Sequence, residues 1–221
     1  NPDHETKAAY SFTVVATDTA GLATEQTVTL AINNLDEAAP NVTSGATANV
    51  AENSGPGQVV YTVTSDDSAD ISGGVTLSLK ADGDAALFTF DAATGEVTLT
   101  ENPNHEAKSA YSFTVVATDA AGHATEQTVT LAVNNLDEVA PTITSGATAP
   151  AIDENSGAGQ VVYTAAADDT ADISGGVTYS LKTDGDAALF TIDSATGAVT
   201  LTGNPDHETK AAYSFTVVAT D

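Results

Sequence analysis

The 221-residue chain has no cysteine, no tryptophan and no arginine, and its five cations are all lysine. Without thiols it can form neither disulfides nor thiolate-ligated metal sites. Those few lysines face 31 aspartates and glutamates, for a formal charge of −26. Such a polyanion repels nucleic acid and anionic lipid headgroups, so neither is expected as a partner. Aromatic residues make up 5% of the chain and are mostly Tyr and Phe within apparent strands. No apolar run approaches the roughly 18 residues of a membrane span, so no membrane insertion is expected in this segment. A charge this large accompanies disorder in many chains, but 41% hydrophobic residues in regular patterns oppose that reading. What remains is an attraction for cations, above all hard divalent ions that take oxygen ligands.

The chain repeats itself. Residues 1–18 read NPDHETKAAYSFTVVATD, residues 102–119 read NPNHEAKSAYSFTVVATD, and residues 204–221 reproduce the first copy. The period is 101 residues from Glu5 to Glu106 and 102 from Glu106 to Glu208, with the extra residue near Ile152. Pro40 and Pro141, each after an NNLDE run, mark the starts of repeats. Residues 1–38 then read as the C-terminal part of one repeat, 39–139 as a complete one, and 140–221 as a third lacking its last strand. The chain begins inside a motif and is expected to be a fragment. A unit of about 100 residues is long enough to bury its own core.

Within the complete repeat, Tyr111–Thr118 and Thr125–Asn134 alternate apolar and polar residues, which places Val129, Leu131 and Val133 on one face. Gln58–Thr64, Val75–Lys80, Leu87–Asp91 and Glu96–Thr100 are shorter runs bounded by turn formers. A first strand near Val42–Val50 brings the number to seven, and no window shows a helical apolar stripe. The expected fold is all-β: tandem seven-stranded immunoglobulin-like sandwiches joined by acidic linkers.

Four landmarks recur in order. They are Glu52-Asn53 (and Glu154-Asn155), the run Leu87–Leu99 with its Phe, Asp and Thr-Gly, the element Asp3/Glu5 (Asn104/Glu106, Asp206/Glu208), and the strand ending in Ala117-Thr118-Asp119. With the linker Asn34–Pro40 they resemble the cadherin domain, and the resemblance extends over every part of the chain. The linker is similar to the degenerate form found in bacterial cadherin-like repeats of large repeats-in-toxin type surface adhesins. It lacks one of the family's Asp/Asn positions, and His4, His105 and His207 stand where Arg is usual. Fewer ions per junction are therefore expected than in the family.

The carboxylates themselves point to Ca²⁺, which takes 6–8 oxygens from carboxylates, amides and backbone carbonyls. A sandwich would bring them to its two poles. The upstream junction would use Asp3, Glu5, Asn34, Asp36, Glu37, Asp66, Asp67, Asp70 and Asp119. The next would use Glu52, Asn104, Glu106, Asn135, Asp137 and Glu138, faced by Asp168, Asp169, Asp172 and Asp221. Glu154, Asp206 and Glu208 repeat the lower pole in the last copy. Without cations these charges repel and the linker bends; bridged by Ca²⁺, the hinge becomes a rod.

Other readings are weaker. A solubility device would spread carboxylates along strand faces, where few stand. Asp82, Asp84, Asp184 and Asp186 read as ordinary turns, and the histidines, far apart and without Cys, as surface residues rather than Zn²⁺ ligands. Carboxylate pairs also occur in glycosidases, but a catalytic pair copied in every repeat without cleft or sugar platform is not expected, and no enzyme activity is assigned. The resemblance implies a structural extender of a bacterial adhesin, extracellular on the cell surface, with calcium ions and neighbouring repeats as partners. The alternative is an adhesion module making homophilic or polysaccharide contacts. Because Ala23–Asn33 carries the strand that 140–221 lacks, incomplete ends are expected to satisfy each other head to tail.

Overall fold

Period-two alternation, reinforced by β-branched and aromatic residues, builds strands throughout the computed structural model, which describes residues 1–71, 73–173 and 175–221. The chain divides into two units, Asn1–Asn135 and Leu136–Asp221. The first opens with a hairpin of β1 (Ala9–Thr17) and β2 (Ala23–Ala31), paired from Ala9↔Ala31 to Thr17↔Ala23. Every residue of both strands is exposed.

Beyond the linker follow β3 (Asn41–Val42), β4 (Thr47–Ala51), β5 (Gln58–Thr62), β6 (Ser65–Asp66), β7 (Thr76–Leu79), β8 (Phe88–Asp91), β9 (Glu96–Leu99), β10 (Ala110–Thr118) and β11 (Ala124–Asn134). Seven of them form two sheets, in the orders β4-β11-β10-β7 and β5-β9-β8. Side chains from both sheets share one core, in which Val97, Leu99, Phe113, Val115, Ala117, Val129 and Leu131 are fully buried. The alternation read from β11 is realised, since Val129, Leu131 and Val133 all point inward. Phe113 packs on Phe88 with ring centroids 4.8 Å apart and meets Tyr61 edge-on at 5.8 Å. The architecture is the all-β sandwich expected.

The expected single first strand, Val42–Val50, is instead two. β3 pairs antiparallel with β6, whereas β4 runs parallel to β11. The break at Ser44–Ala46 is held from outside. Tyr61 donates its hydroxyl to Ser44 Oγ (2.7 Å) and the Gly45 carbonyl (2.6 Å), and Gln127 Nε2 donates to the Ser44 carbonyl (2.8 Å). A shift of register between Val59 and Tyr61 on β5 aims this tyrosine inward.

The second unit repeats the plan with β12 (Thr142–Ile143), β13 (Gln160–Thr164), β14 (Ala167–Asp168), β15 (Thr178–Leu181), β16 (Phe190–Ile192), β17 (Ala198–Leu201) and β18 (Val217–Thr220). The ladders are β13-β17-β16, β15-β18 and β12-β14. Its core of Val162, Phe190, Val199 and Leu201 is smaller. Among the described residues it has no counterpart of β11, and residues 148–153, which match β4, form no ladder. A groove of about 550 Å³ opens there, lined by Ile152, Val162, Phe190, Leu201, Tyr213 and Phe215 among others.

Candidate metal centres at the repeat poles

The first linker is extended, and extension sorts its side chains by parity. Asn34 and Asp36 are half-buried, while Leu35 and Glu37 face solvent. Pro40, fully buried, fixes where the linker enters the sandwich. Asp36 meets Asp119, at the end of β10, and His123, on the β10–β11 turn; one ligand atom from each lies within 4.8 Å of the others. The Asp119 side chain is fully covered. Its Oδ1 accepts from the backbone N–H groups of Gly122 (2.6 Å) and His123 (2.8 Å), and its Oδ2 lies 3.0 Å from His123 Nδ1. Burial pushes the Asp119 carboxyl up, but these contacts outweigh it and hold it below the ordinary aspartate value.

Asp67, just after β6, is only 8% exposed. Its Oδ2, like Asp36 Oδ1 and Asn34 Oδ1, is buried with no hydrogen-bond partner among the described residues. Desolvation, and then the charges of Asp36, Asp119 and Asp66, push the Asp67 carboxyl up, with His123 pulling the other way. Buried acceptors that find no donor are costly in a native protein. Three of them on the linker and the strand end beside it are acceptors whose lone pairs a cation would satisfy.

A second group lies alongside. Glu5, Glu37 and Asp70 each bring an oxygen within 4.8 Å of the others. Asp70 also fastens the linker: Oδ1 accepts from Asn34 Nδ2 (3.0 Å) and Oδ2 from the Glu37 backbone N–H (3.2 Å). Local desolvation, and then the charges of Glu5 and Asp70, push the Glu37 carboxyl up. Asp3 stands apart as the cap of a local turn, accepting from Thr6 N–H at 3.0 Å. Asp66 is exposed and takes a bond from Ser68 Oγ (3.0 Å).

At the lower pole of the first unit, Glu52 is 1% exposed and accepts from His105 N–H (2.8 Å). A Glu106 oxygen lies within 4.8 Å of it, whereas Asn104 caps the turn through Ala107 N–H (2.6 Å). Asn135 is half-buried at the end of this unit. In the second unit Asp137 and Glu138 are exposed, and the Glu138 backbone N–H donates to Asp172 Oδ2 (3.1 Å). Asp169 is buried like Asp67, Asp168 holds Thr170, and Asp221 is exposed just beyond β18. Glu154, Asp206 and Glu208 repeat the lower group within 4.8 Å, though all three are exposed. There the Thr209 hydroxyl holds Asp206 below the ordinary range.

The residues brought into groups are thus Glu5, Asp36, Glu37, Asp70, Asp119, the pair Glu52 and Glu106, and the trio Glu154, Asp206 and Glu208, while Asp67 feels the charges of Asp36 and Asp119. Asp3, Asp66 and Asn104 make local turn contacts instead. Asp84, read as a turn residue, fastens that turn to β10 by accepting from Lys108 Nζ (2.6 Å) and Ser112 N–H (2.9 Å). The residue missed is His123, read as a surface histidine. Its signal was the spacing of four from Asp119 across a tight turn. The first copy obscured it by carrying Leu22 at the same place.

A family model described as "Cadherin domain" matches residues 46–134 and 149–221. Over 226 residues the chain is 30% identical to protocadherin Fat 4 of Mus musculus, covering 99% of this chain and 4% of that protein. Over 150 residues it is 31% identical to protocadherin Fat 1 of Homo sapiens, covering 66% of this chain and 3% of that protein. The crystal structure of mouse cadherin-23 EC22-24 matches with a TM-score of 0.63 and 26% identity, covering all of this chain and 71% of that one. Protocadherin Gamma B2 extracellular cadherin domains 3-6 match with a TM-score of 0.65 and 21% identity, covering 98% of this chain and 57% of that one. Both curated relatives are mammalian proteins, of which the chain spans only a small part. No helix among the described residues is long and apolar enough to cross a membrane.

Proposed function

The chain belongs to the cadherin domain family, and from that premise we propose that it is an extender segment of a bacterial cell-surface adhesin, rigidified by Ca²⁺ at the junctions between repeats. The observation that carries the calcium reading is the set of orphaned oxygens at the first linker, Asp36 Oδ1, Asp67 Oδ2 and Asn34 Oδ1. They are hard ligands of the right chemistry, they are buried, and they come from both the linker and the following sandwich. Bound Ca²⁺ supplies the positive charge and the oxygen-seeking coordination sphere that such a set lacks.

What the chain contributes is restraint. Asp119 is held charged and oriented by two backbone N–H groups, and Asp70 anchors the linker at Asn34 and Glu37. The linker's reach is therefore defined before any cation arrives. Repulsion among Asp36, Asp67 and Asp119, and among Glu5, Glu37 and Asp70, works against closure. Neutralising it leaves one favoured linker geometry. In this reading the repeats run 1–38, 39–139 and 140–221, and Glu52 with Glu106, and Glu154 with Asp206 and Glu208, serve further junctions.

The bacterial, repeats-in-toxin assignment is supported by copies that are nearly identical, by the absence of cysteine and by the shortened acidic linker. Near-identity suits a spacer, in which array length matters more than any one surface. The location follows as extracellular, and no catalytic role is assigned. Small-angle scattering of the full chain in chelator and in Ca²⁺, with titration calorimetry alongside, tests the proposal. Lengthening with measurable heat supports it; identical curves and no heat overturn it. A Ca²⁺-dependent dimer without stiffening would favour an adhesion module instead.

A further inference from the structure

We propose that the Asp36–Asp67–Asp119 pocket of the first unit also takes a transition-metal dication of the zinc class, with a ring nitrogen of His123 completing its ligand set. This rests on the calcium reading of the same pocket and gives one junction of the array a second specificity. Calcium uses oxygen ligands, so a histidine adds nothing to a calcium site. Zinc binds imidazole nitrogen and carboxylate oxygen together, at bonds of about 2.0–2.2 Å, and is commonly four-coordinate.

The geometry suits that use. One ligand atom each from Asp36, Asp119 and His123 lies within 4.8 Å of the others. The 3.0 Å between His123 Nδ1 and Asp119 Oδ2 is a hydrogen-bond distance, and is also close to the edge between two ligands of one small ion. Independently of this cluster, Asp67 is 8% exposed, and its Oδ2 is buried without a partner among the described residues. Its charge is coupled to Asp36, Asp119 and His123. Its Oδ2 is thus a buried carboxylate oxygen that a bound ion could recruit to complete the set begun by Asp36, Asp119 and His123. The His123 side chain is 39% exposed, which leaves the ring an approach from solvent.

The alternative is that His123 merely steadies its turn. The first hairpin argues against it. There Leu22 stands in place of His123, yet Asp18 Oδ1 still accepts from the backbone N–H groups of Ala20 (2.8 Å) and Leu22 (2.9 Å). The turn closes without an imidazole, so the histidine is surplus to the fold. The same comparison supplies the test variant, because leucine is already compatible with this turn.

The experiment titrates Zn²⁺ and Ca²⁺ separately into the full chain and into His123→Leu and His123→Gln, and then Ca²⁺ in competition with Zn²⁺. Cobalt(II) substitution adds a visible-absorption readout of nitrogen ligation. Wild type is expected to bind one Zn²⁺ at least about tenfold more tightly than either variant, a loss that even outer-shell partners commonly produce. The Co²⁺ bands should weaken in both variants, Ca²⁺ affinity should stay unchanged, and Ca²⁺ should compete for the site. Equal Zn²⁺ affinity in all three proteins, or Zn²⁺ binding unaffected by Ca²⁺ that does bind the chain, overturns the proposal and leaves the calcium reading standing. Absence of Ca²⁺ binding in all three, with His123-dependent Zn²⁺ binding intact, removes the calcium reading and leaves the zinc site.

Discussion

One nine-residue sequence, AYSFTVVAT, occurs three times in the chain, which makes its phenylalanine a built-in experiment on burial. Phe113 on β10 is fully buried against Phe88 and Tyr61, whereas Phe12 on β1 is 54% exposed. Burying a phenylalanine completely is worth about 1.5–3 kcal/mol in transfer alone. The cavity left by truncation raises the cost of Phe113→Ala to about 3–5 kcal/mol. For Phe12 less than half of the transfer value applies and no enclosed cavity forms, so Phe12→Ala should cost about 1 kcal/mol. For a domain of this size each kcal/mol moves the melting temperature by about 4–8 °C. Phe113→Ala should therefore lower the transition of its unit by at least about 12 °C. Calorimetry in chelator measures this without metal masking the loss. Because two units need not melt together, hydrogen exchange over residues 110–134 and 9–31 assigns each effect. Equal losses from the two substitutions would refute the reasoning, since sequence context is identical and only burial differs.

Asp36→Asn should lower Ca²⁺ affinity while leaving the chelator-state stability within about 1 kcal/mol of wild type, because Asp36 is a half-buried linker residue and not part of the hydrophobic core; a collapse of the fold in chelator would contradict it. The carboxyl of Asp84 is held below its ordinary value of 3.8, chiefly by Lys108 and then by Ser112 N–H. A carboxylate depressed in the folded state stabilises above its unfolded pKa and loses that contribution as pH falls through the folded one. The melting temperature of Asp84→Asn should thus converge with wild type below pH 3.8 and fall short of it above, and parallel curves would contradict this. A peptide with the sequence of Ala124–Asn134, added in trans, should raise the melting temperature of the second unit by filling its groove as β11 fills the first. No shift at saturating peptide would count against that fit.

How far the sequence could be read follows from which contacts are local. Strands β10 and β11 were legible because period-two alternation and β-branched residues act within the strand itself. The break in the first strand was not, because its cause is tertiary: the Tyr61 hydroxyl and the Gln127 amide reach Ser44 and Gly45 from elsewhere in the fold. The same distinction holds at the candidate site. Asp36, Asp70 and Asp119 could be placed at a pole from their positions on linker, loop and strand end. Between adjacent Asp66 and Asp67, however, the exposed first ends β6 and the buried second lies just beyond it, and a strand of two residues leaves no pattern to read. His123 was hidden because a turn starting at Asp119 looks ordinary until Asp36 is brought against it from the linker.

The parallel pairing of β4 with β11 has a mechanical consequence. The chain enters the sandwich through β3 and β4 and leaves it through β11, and these strands lie side by side, in register from Thr47↔Thr130 to Ala51↔Asn134. The ladder is extended at either end by Thr130 N–H to the Ala46 carbonyl (3.0 Å) and Glu52 N–H to the Asn134 carbonyl (3.1 Å). Tension between entry and exit pulls two parallel neighbours in opposite directions along their length. The hydrogen bonds joining them are then loaded in shear and must give way together, rather than opening one at a time as in a hairpin pulled from its ends. Rupture under force is governed by the unfolding rate rather than by equilibrium stability. A repeat wired this way can hold a steady pull with a core of quite ordinary stability.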